Sequence, residues 1–204
     1  MWSLVLPRWK INRVVRKALS ERDKATDVSR LIDRMWELHK DVSKNTPKSQ
    51  SRGVSFMLYL AAKDLALYKA LRETSIQDEE AKQHVEDINW DLSKSLGAPM
   101  YRLSRIRSRN REVRLKWVND LLYRFLFTKP FKRIHVASDA NDAFDVTSCP
   151  IADYFKSQGE SALCHHAFCN ADHRLAAAWH SRLERKGTIA EGSDCCDFRF
   201  YVDK

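Results

Sequence analysis

Cysteine is absent from the first 143 residues of this 204-residue chain, and glycine and proline are scarce, with five of each. Long irregular regions are therefore not expected, since such regions are enriched in glycine and proline. The chain has no run of about 18 apolar residues, so no transmembrane helix is predicted. The first ten residues, MWSLVLPRWK, lack the charged n-region and the cleavage site of a secretory signal peptide.

All five cysteines lie within residues 144–200. Their number is odd and two of them, Cys195 and Cys196, are adjacent, a pattern unsuited to a disulfide framework. Reduced thiols in a reducing compartment fit this pattern better. We therefore expect a cytoplasmic protein whose chemistry is concentrated in this C-terminal stretch.

The formal net charge is +9 at pH 7, which favours anions without choosing among nucleic acid, membrane surfaces and small carboxylates. Much of the charge lies in residues 101–133, where Lys and Arg outnumber Asp and Glu by 11 to 2. One interpretation is a nucleic-acid or membrane patch. The other, which we favour, is the solvated face of a core helix, because no recognised binding module surrounds it. A nucleic-acid partner is therefore not expected, and no oligomeric state is predicted.

Apolar residues recur every three or four positions in the first 130 residues, which predicts a series of amphipathic helices. Three of the predicted helices are residues 9–20, 28–42 and 54–71. A fourth is capped by Ser75 and ended by Gly97 and Pro99. A fifth has a buried stripe formed by Val118, Leu121, Leu122 and Phe125. Three acidic residues fall in the first turn after Ser75, where the helix dipole favours negative charge.

After Pro130 the periodicity changes, and short strands alternate with helical segments. The predicted strands are residues 131–136, 143–146, 182–190 and 196–202, and the predicted helices are residues 151–158 and 162–179. This order predicts an α+β fold, with N-terminal helices followed by a small antiparallel sheet and an inserted helix that carries the Cys/Asp cluster. We expect a single domain over residues 1–204, with a helical part (1–130) and an α+β part (131–204).

The inserted helix carries an uncommon combination of reactive side chains. Cys169, Asp172 and His173 are spaced i, i+3 and i+4, so they share one helical face, with His165 one turn earlier. Such a set suits nucleophilic catalysis, in which a thiolate attacks carbon and a carboxylate orients a cationic substrate. The alternative is a polar helix face with a buried cysteine.

Two further cysteines are candidates because of their positions. Cys196 shares the inward, apolar face of the last strand with Phe198, because side chains alternate along a strand. It is equally suited to be a small buried hydrophobic residue. Cys149 precedes Pro150 at the start of a helix, where it can act as the N-cap and where the helix dipole lowers the pKa of a thiol.

Cys149, Cys169, Cys196 and a histidine are also a candidate zinc site, because thiolate and imidazole are preferred ligands of zinc. Against this interpretation, the sequence contains no C-x-x-C pair, and two adjacent cysteines do not readily bind one ion. We therefore predict no metal ligands and no cofactor, and keep zinc as the lesser alternative.

Three segments carry motifs in a fixed order: FDVTSCPIADYF, FCNADHRLAAAW and RLERKGTIAEGSDCCDFRF. Their Cys-Pro, Cys-x-x-Asp and Gly-x-x-x-Cys-Asp-Phe-Arg motifs resemble the signature of the L-2-amino-thiazoline-4-carboxylic acid hydrolases. The resemblance is specific over residues 143–201 and looser upstream. The signature falls here on Cys149, Cys169, Asp172, Gly192, Cys196, Asp197 and Phe198.

The resemblance implies a hydrolase acting on the carbon–nitrogen bonds of a cyclic amidine. Its substrate would be a small carboxylate such as 2-amino-thiazoline-4-carboxylate, opened to N-carbamoyl-cysteine on a route to cysteine. With this reaction, Cys169 is the expected nucleophile, Asp172 the amidinium anchor or base, and His173 a proton carrier. Cys196 would line the pocket or exchange roles with Cys169.

Cys149, Asp197 and Arg199 are the expected substrate-binding residues, with Arg199 binding the substrate carboxylate through two hydrogen bonds. Strand alternation places Arg199 opposite Cys196, however, so Arg182 or an arginine of the basic segment is an alternative. A second hypothesis is a non-catalytic protein that uses the cysteine cluster to bind or sense a metal or a small ligand.

Overall fold

The computed structural model describes residues 6–22, 27–49 and 51–203. Its N-terminal part consists of five helices: α1 (Arg8–Arg22), α2 (Val28–Val42), α3 (Arg52–Arg72), α4 (Asp78–Leu103) and α5 (Arg111–Phe125). Side-chain caps start two of them, because the carboxylate of Asp27 accepts hydrogen bonds from the backbone of Ser29 and Arg30, and the hydroxyl of Ser51 accepts one from Val54. Helix α3 is buried along most of its length and forms the centre of the helical core.

The predicted start and end of α4 were wrong. The helix begins after Gln77, not Ser75, and continues through Gly97 and Pro99 to Leu103. Gly97 allows the side chain of Leu175 to pack closely against α4. A Cβ atom at this position would lie only 2.6 Å from Cδ2 of Leu175, which is closer than two carbon atoms can approach. Tertiary packing of the last turns thus outweighs the hydrogen bond that Pro99 removes from the helix.

The predicted buried stripe of α5 was only partly right. Val118 is buried, but Phe125, the last residue of the helix, is 58% exposed. The backbone of Phe125 rather than its ring packs on α3, since a Cβ at Gly53 would lie 2.1 Å from the Phe125 carbonyl oxygen. The buried face of α5 is formed instead by Arg114, Leu115, Val118 and Asn119.

Four antiparallel strands form the sheet, in the order β1-β2-β4-β3. They are β1 (Lys132–His135), β2 (Asp142–Ser148), β3 (Ser181–Glu184) and β4 (Cys196–Val202). The first strand of the predicted hairpin is shorter than expected, because Asp197 accepts hydrogen bonds from the backbone of Lys186 and Gly187 and turns the chain away from the sheet. A short 3-10 turn, Ile189–Glu191, follows.

Helical segments inserted between β2 and β3 complete the α+β fold, as predicted. They are α6 (Pro150–Ser157), α7 (Ser161–Cys164), a π-helical turn (His165–Cys169) and α8 (Asn170–Ala178). One buried apolar cluster joins the N-terminal helices to α6 and α7, and a second joins α5 and α8 to the sheet. That the two clusters belong to a single domain stays a prediction. In the described part of the chain, no helix is both long enough and apolar enough to span a membrane.

Candidate active site

A cavity of about 230 Å³ lies between the helices and the sheet. Most of its wall is apolar, and its polar lining includes Cys149, Cys164, Cys169, Asp172, Arg185 and Cys196. Four of these six residues were predicted from the sequence. The fold thus brings Cys149 and Cys196, which are 47 positions apart in the sequence, to the wall of one cavity.

The π-helical turn brings Cys164 and Cys169 together. A π-helical turn contains one residue more than an α-helical turn, so residues five apart come onto one face. Here Cys164 and Cys169 are hydrogen-bonded through their side chains. A hydrogen bond from another helix stabilises this turn, because the buried side-chain amide of Asn89 in α4 donates to the carbonyl oxygen of Ala167.

Cys169 is the ionisable thiol of the cavity. Its hydrogen bond with Cys164, together with a hydrogen bond to His165 and the positive charge of Arg185, lowers the pKa of the Cys169 thiol to about 5 against the opposing effect of burial. The pKa of Cys164 changes in the opposite direction, because the same hydrogen bond raises it. The lowered pKa of Cys169 favours its thiolate at neutral pH, the form that attacks electrophiles and binds metals.

The sulfur atoms of Cys149 and Cys196 accept hydrogen bonds from the backbone, at 3.5 Å from Ala152 N and 3.3 Å from Ile189 N. Cys149 is the N-cap of α6, as predicted. The expected lowering of its pKa by the helix dipole was wrong, because burial raises the pKa of the Cys149 thiol to about 12. Burial raises the pKa of the Cys196 thiol to about 12 as well, so both are neutral neighbours of Cys169.

Arg185 connects the two predicted functional residues of the inserted helix. Its Nη1 donates a 2.9 Å hydrogen bond to Oδ2 of Asp172, and its Nη2 donates one of 2.9 Å to the Cys169 carbonyl oxygen. The guanidinium group also lies over the ring of Phe198, with its carbon 5.2 Å from the ring centroid. Arg185 therefore fixes the direction of the carboxylate relative to the thiol.

Asp172 keeps 34% of its side chain accessible, although it belongs to the cavity wall. That accessible surface adjoins a mainly apolar cavity rather than bulk water. Burial raises the pKa of the Asp172 carboxyl to about 7, with Arg185 acting in the opposite direction. A carboxyl group of this kind is close to half-protonated at neutral pH and can both donate and accept a proton.

His165 occupies the position next to the thiolate. The hydrogen bond with Cys169, followed by the charge of Glu191, raises the pKa of His165. Its Nδ1 lies 3.2 Å from Oε2 of Glu191, which in turn accepts a 2.8 Å hydrogen bond from the Thr188 hydroxyl. Among the described residues Nδ1 of His165 has no hydrogen-bond partner, so its contact with Glu191 is one of charge, and His165 is a candidate base beside the Cys169 thiol.

Three predicted site residues lie elsewhere. His173 is exposed, and the described residues that line the cavity do not include it. Asp197 anchors the backbone of Lys186 and Gly187, so it supports the loop that carries Arg185. Arg199 lies on the opposite face of β4, where it pairs with Asp145 at 2.9 Å. Their catalytic and substrate-binding roles stay predictions, but the cavity is formed without them.

Sequence reasoning missed Arg185, Glu191 and Cys164. Arg185 and Glu191 belong to the segment RLERKGTIAEGSDCCDFRF, which was singled out only for its glycine and its final residues. His165 was placed on the reactive face but given no role. No spacing rule places a residue after β3 against a helix that precedes it, so only the fold could bring these residues together.

Metal ligation was the alternative use of the cysteine cluster. Among residues 6–22, 27–49 and 51–203, no group of three or more His, Cys, Asp or Glu residues is arranged to hold a metal ion. The observed geometry therefore supports a single reactive thiol better than a zinc site.

The chain was compared with curated proteins, solved structures and protein-family models. Neither a curated protein nor a solved structure matches the chain. The family model for L-2-amino-thiazoline-4-carboxylic acid hydrolase matches residues 56–200, more than half of the sequence. This range begins in α3 and includes every residue of the polar cavity lining named above. The chain therefore belongs to the L-2-amino-thiazoline-4-carboxylic acid hydrolase family.

Proposed function

We propose that the protein is a cysteine hydrolase that opens the ring of a cyclic amidine or isothiourea of the 2-amino-thiazoline type. The observation that carries this proposal is the contrast among the cavity thiols. The pKa of Cys169 is lowered to about 5, whereas those of Cys149 and Cys196 are raised to about 12. Membership of the hydrolase family supports the reaction class.

The first half of the reaction uses Cys169 and Asp172. The Cys169 thiolate adds to the ring carbon that lies between the sulfur and the two nitrogens, and the electrons of the carbon–nitrogen double bond move to the protonated nitrogen. The bond from this carbon to the ring sulfur then breaks and opens the ring. Over the whole reaction both nitrogens stay on the carbon, and a carbonyl replaces the carbon–nitrogen double bond of the amidine. The carboxylic acid of Asp172 gives its proton to the departing sulfur, which leaves an isothiouronium group on Cys169.

The second half releases the product. The Asp172 carboxylate takes a proton from water as the oxygen adds to the isothiouronium carbon. Collapse of this adduct forms the urea carbonyl and expels Cys169 as its thiolate, with one proton lost to solvent. The sum is substrate plus water giving an N-carbamoyl thiol, such as N-carbamoyl-cysteine from the 4-carboxylate.

His165 and Arg185 serve the same cycle without forming bonds to the substrate. The hydrogen bond of His165 and the charge of Arg185 stabilise Cys169 as both nucleophile and leaving group. Arg185 also holds the Asp172 carboxylate in place. A free thiolate requires a reducing environment, which supports a cytoplasmic location for the protein.

Mass spectrometry of the purified, chelator-treated protein tests the proposal. With 2-amino-thiazoline and its 4-carboxylate as substrates, we expect ring-opened product and, in acid-quenched samples, an adduct on Cys169. Cys169→Ala should abolish turnover without changing the circular dichroism spectrum. Cys195→Ala is the matched control and should keep full activity, because the cavity-lining residues do not include Cys195. Full turnover by Cys169→Ala would refute the proposed nucleophile.

A further inference from the structure

The cavity continues well beyond the reactive groups. Along α8 and its C-cap residue, the wall runs from Asp172 through Leu175 to Trp179, which at 1.5 Å per residue is roughly 10 Å. On β4 it runs from Cys196 through Phe198 to Phe200, which at 3.4 Å per residue is roughly 14 Å. The reacting carbon has to lie within about 3.5 Å of the Cys169 sulfur, so most of the cavity is left for another part of the ligand.

This remote part of the cavity is apolar on several sides. Met100 of α4, Leu122 of α5 and Phe144 of β2 line it together with the residues of α8 and β4. Two amide side chains in the wall already have partners, since Asn119 donates to Asp142 at 2.7 Å and Asn89 donates to the Ala167 carbonyl. Few polar groups are left there to bind a polar substituent.

Among the described residues, the cavity wall offers a substrate carboxylate no cation that is not already paired with a protein carboxylate. Among the described residues that line the cavity, Arg185 is the only lysine or arginine. Its side chain is 3% exposed, and both terminal nitrogens donate to protein acceptors, Asp172 and the Cys169 carbonyl. A substrate carboxylate would have to share the single positive charge of Arg185 with Asp172, and a buried carboxylate without a cation of its own is unfavourable.

We infer that the substrate of this enzyme is a cyclic amidine or isothiourea whose ring carries an apolar substituent in place of the carboxylate. The amidine end lies against Cys169 and Asp172, and the apolar substituent extends between Leu175 of α8 and Phe198 of β4. The inference rests on the proposed function for the reaction itself, but the apolar binding site can be tested separately.

A substituent series on one ring measures the preference directly. For 2-amino-thiazolines carrying hydrogen, methyl, propyl or pentyl at position 4, we expect kcat/KM to rise about fourfold per methylene until the cavity is filled. The 4-carboxylate should be a poorer substrate than the propyl compound. A preference for the 4-carboxylate, with no gain along the alkyl series, would overturn the inference and leave the proposed function standing.

A pair of identical substitutions on α4 locates the binding site. Ser93 lines the cavity, whereas Ser95 is exposed two residues later. Ser93→Leu should remove the gain from the longer alkyl groups while keeping activity toward unsubstituted 2-amino-thiazoline. Ser95→Leu should leave the whole series unchanged. Equal chain-length dependence in both variants would show that the alkyl group binds elsewhere and would overturn the inference.

Binding to a non-reacting variant separates the inference from the reaction. Acetamidine, butanamidine and hexanamidine are titrated calorimetrically into Cys169→Ser, whose hydroxyl does not replace the thiolate. We expect Kd to fall about fourfold per methylene. If no ring is hydrolysed but Kd falls in this way, the proposed function fails and the apolar binding site is supported. If neither turnover nor Kd depends on chain length, the inference is overturned.

Discussion

Arg185 and Asp172 are joined by a 2.9 Å hydrogen bond between Nη1 and Oδ2, although one follows β3 and the other lies on α8. The same guanidinium group donates to the backbone of Cys169. Arginine is suited to this role, because its planar group presents several N–H donors in a rigid arrangement, which lysine does not. The contact places the proposed nucleophile, Cys169, and the proposed proton-transferring carboxyl, Asp172, in one rigid unit.

Two substitutions of Arg185 distinguish the effect of its positive charge from the effect of its hydrogen bonds. Arg185→Met removes a positive charge that lowers the pKa of Cys169, so the midpoint of the pH dependence of iodoacetamide alkylation should move upward from about 5. Arg185→Lys keeps the charge and should move the midpoint less. Both variants should lose about 10- to 100-fold in kcat, because the carboxyl is no longer held in position. A midpoint that is unchanged in Arg185→Met would show that the charge does not act on Cys169.

The pH dependence of kcat/KM should be bell-shaped. The proposed mechanism requires Cys169 as thiolate, with a pKa of about 5, and Asp172 as carboxylic acid, with a pKa of about 7. The rate should therefore fall below about pH 5 as the thiol is protonated, and above about pH 7 as the carboxyl ionises. Asp172→Asn should reduce kcat by about 100-fold or more. A profile of the wild-type enzyme that rises through pH 8 would contradict this assignment.

The pair formed by His165 and Glu191 should control the thiol. His165→Gln removes the hydrogen bond that helps to lower the pKa of Cys169, so the alkylation midpoint should rise and kcat should fall. Glu191→Gln should have a smaller effect in the same direction, because Glu191 acts only through His165 at 3.2 Å. His173→Gln is the matched control on the same inserted segment and should move the midpoint less, since His173 is exposed and interacts with Cys169 through charge alone. A larger effect of His173→Gln than of His165→Gln would reverse the two assignments.

Asn89 should stabilise the π-helical turn. Asn89→Leu leaves the carbonyl of Ala167 without its buried donor and should lower the free energy of unfolding by about 1–3 kcal/mol. The alkylation midpoint of Cys169 should rise as well, because the turn holds Cys164 and Cys169 on one face. Urea denaturation and alkylation of the same variant check both effects. Loss of stability with an unchanged midpoint would show that Asn89 supports the fold but not the thiol.

The buried ion pair of α3 makes a separate prediction about stability. Lys63 and Asp64 are fully buried, and burial raises the pKa of Asp64 to about 6 from its ordinary value of 3.8. The folded state then binds this proton more tightly than the unfolded state. The stabilisation is present below about pH 4 and is lost as the pH rises through 6.

Asp64→Asn should remove this dependence. Relative to the variant, the wild type should lose about 2–3 kcal/mol of unfolding free energy between pH 4 and 7, measured by urea denaturation. Asp91→Asn, on the exposed side of α4, is the control and should follow the wild type. Parallel stability curves for wild type and Asp64→Asn would contradict the raised pKa.

Much of the fold was predictable because helices and strands depend on local patterns. The three-to-four residue period over residues 28–42 corresponds to α2, and the alternation in the last strand corresponds to β4. Gly97 and Pro99 misled the prediction, because their usual effect on a helix end was outweighed by the packing of Gly97 against Leu175. Local rules fail at such positions because the competing interaction comes from a distant segment.

The sequence by itself determined that an α+β chain would carry Cys169 and Asp172 on one inserted helical segment, since an i, i+3 spacing brings two residues onto one side of any helical turn. Only the tertiary structure decided which thiol is ionised. Cys164 and His165 reach Cys169 through the π-helical turn, and Arg185 reaches it from the loop after β3. A pKa depends on the distances to all nearby charges and on burial, and folding sets both.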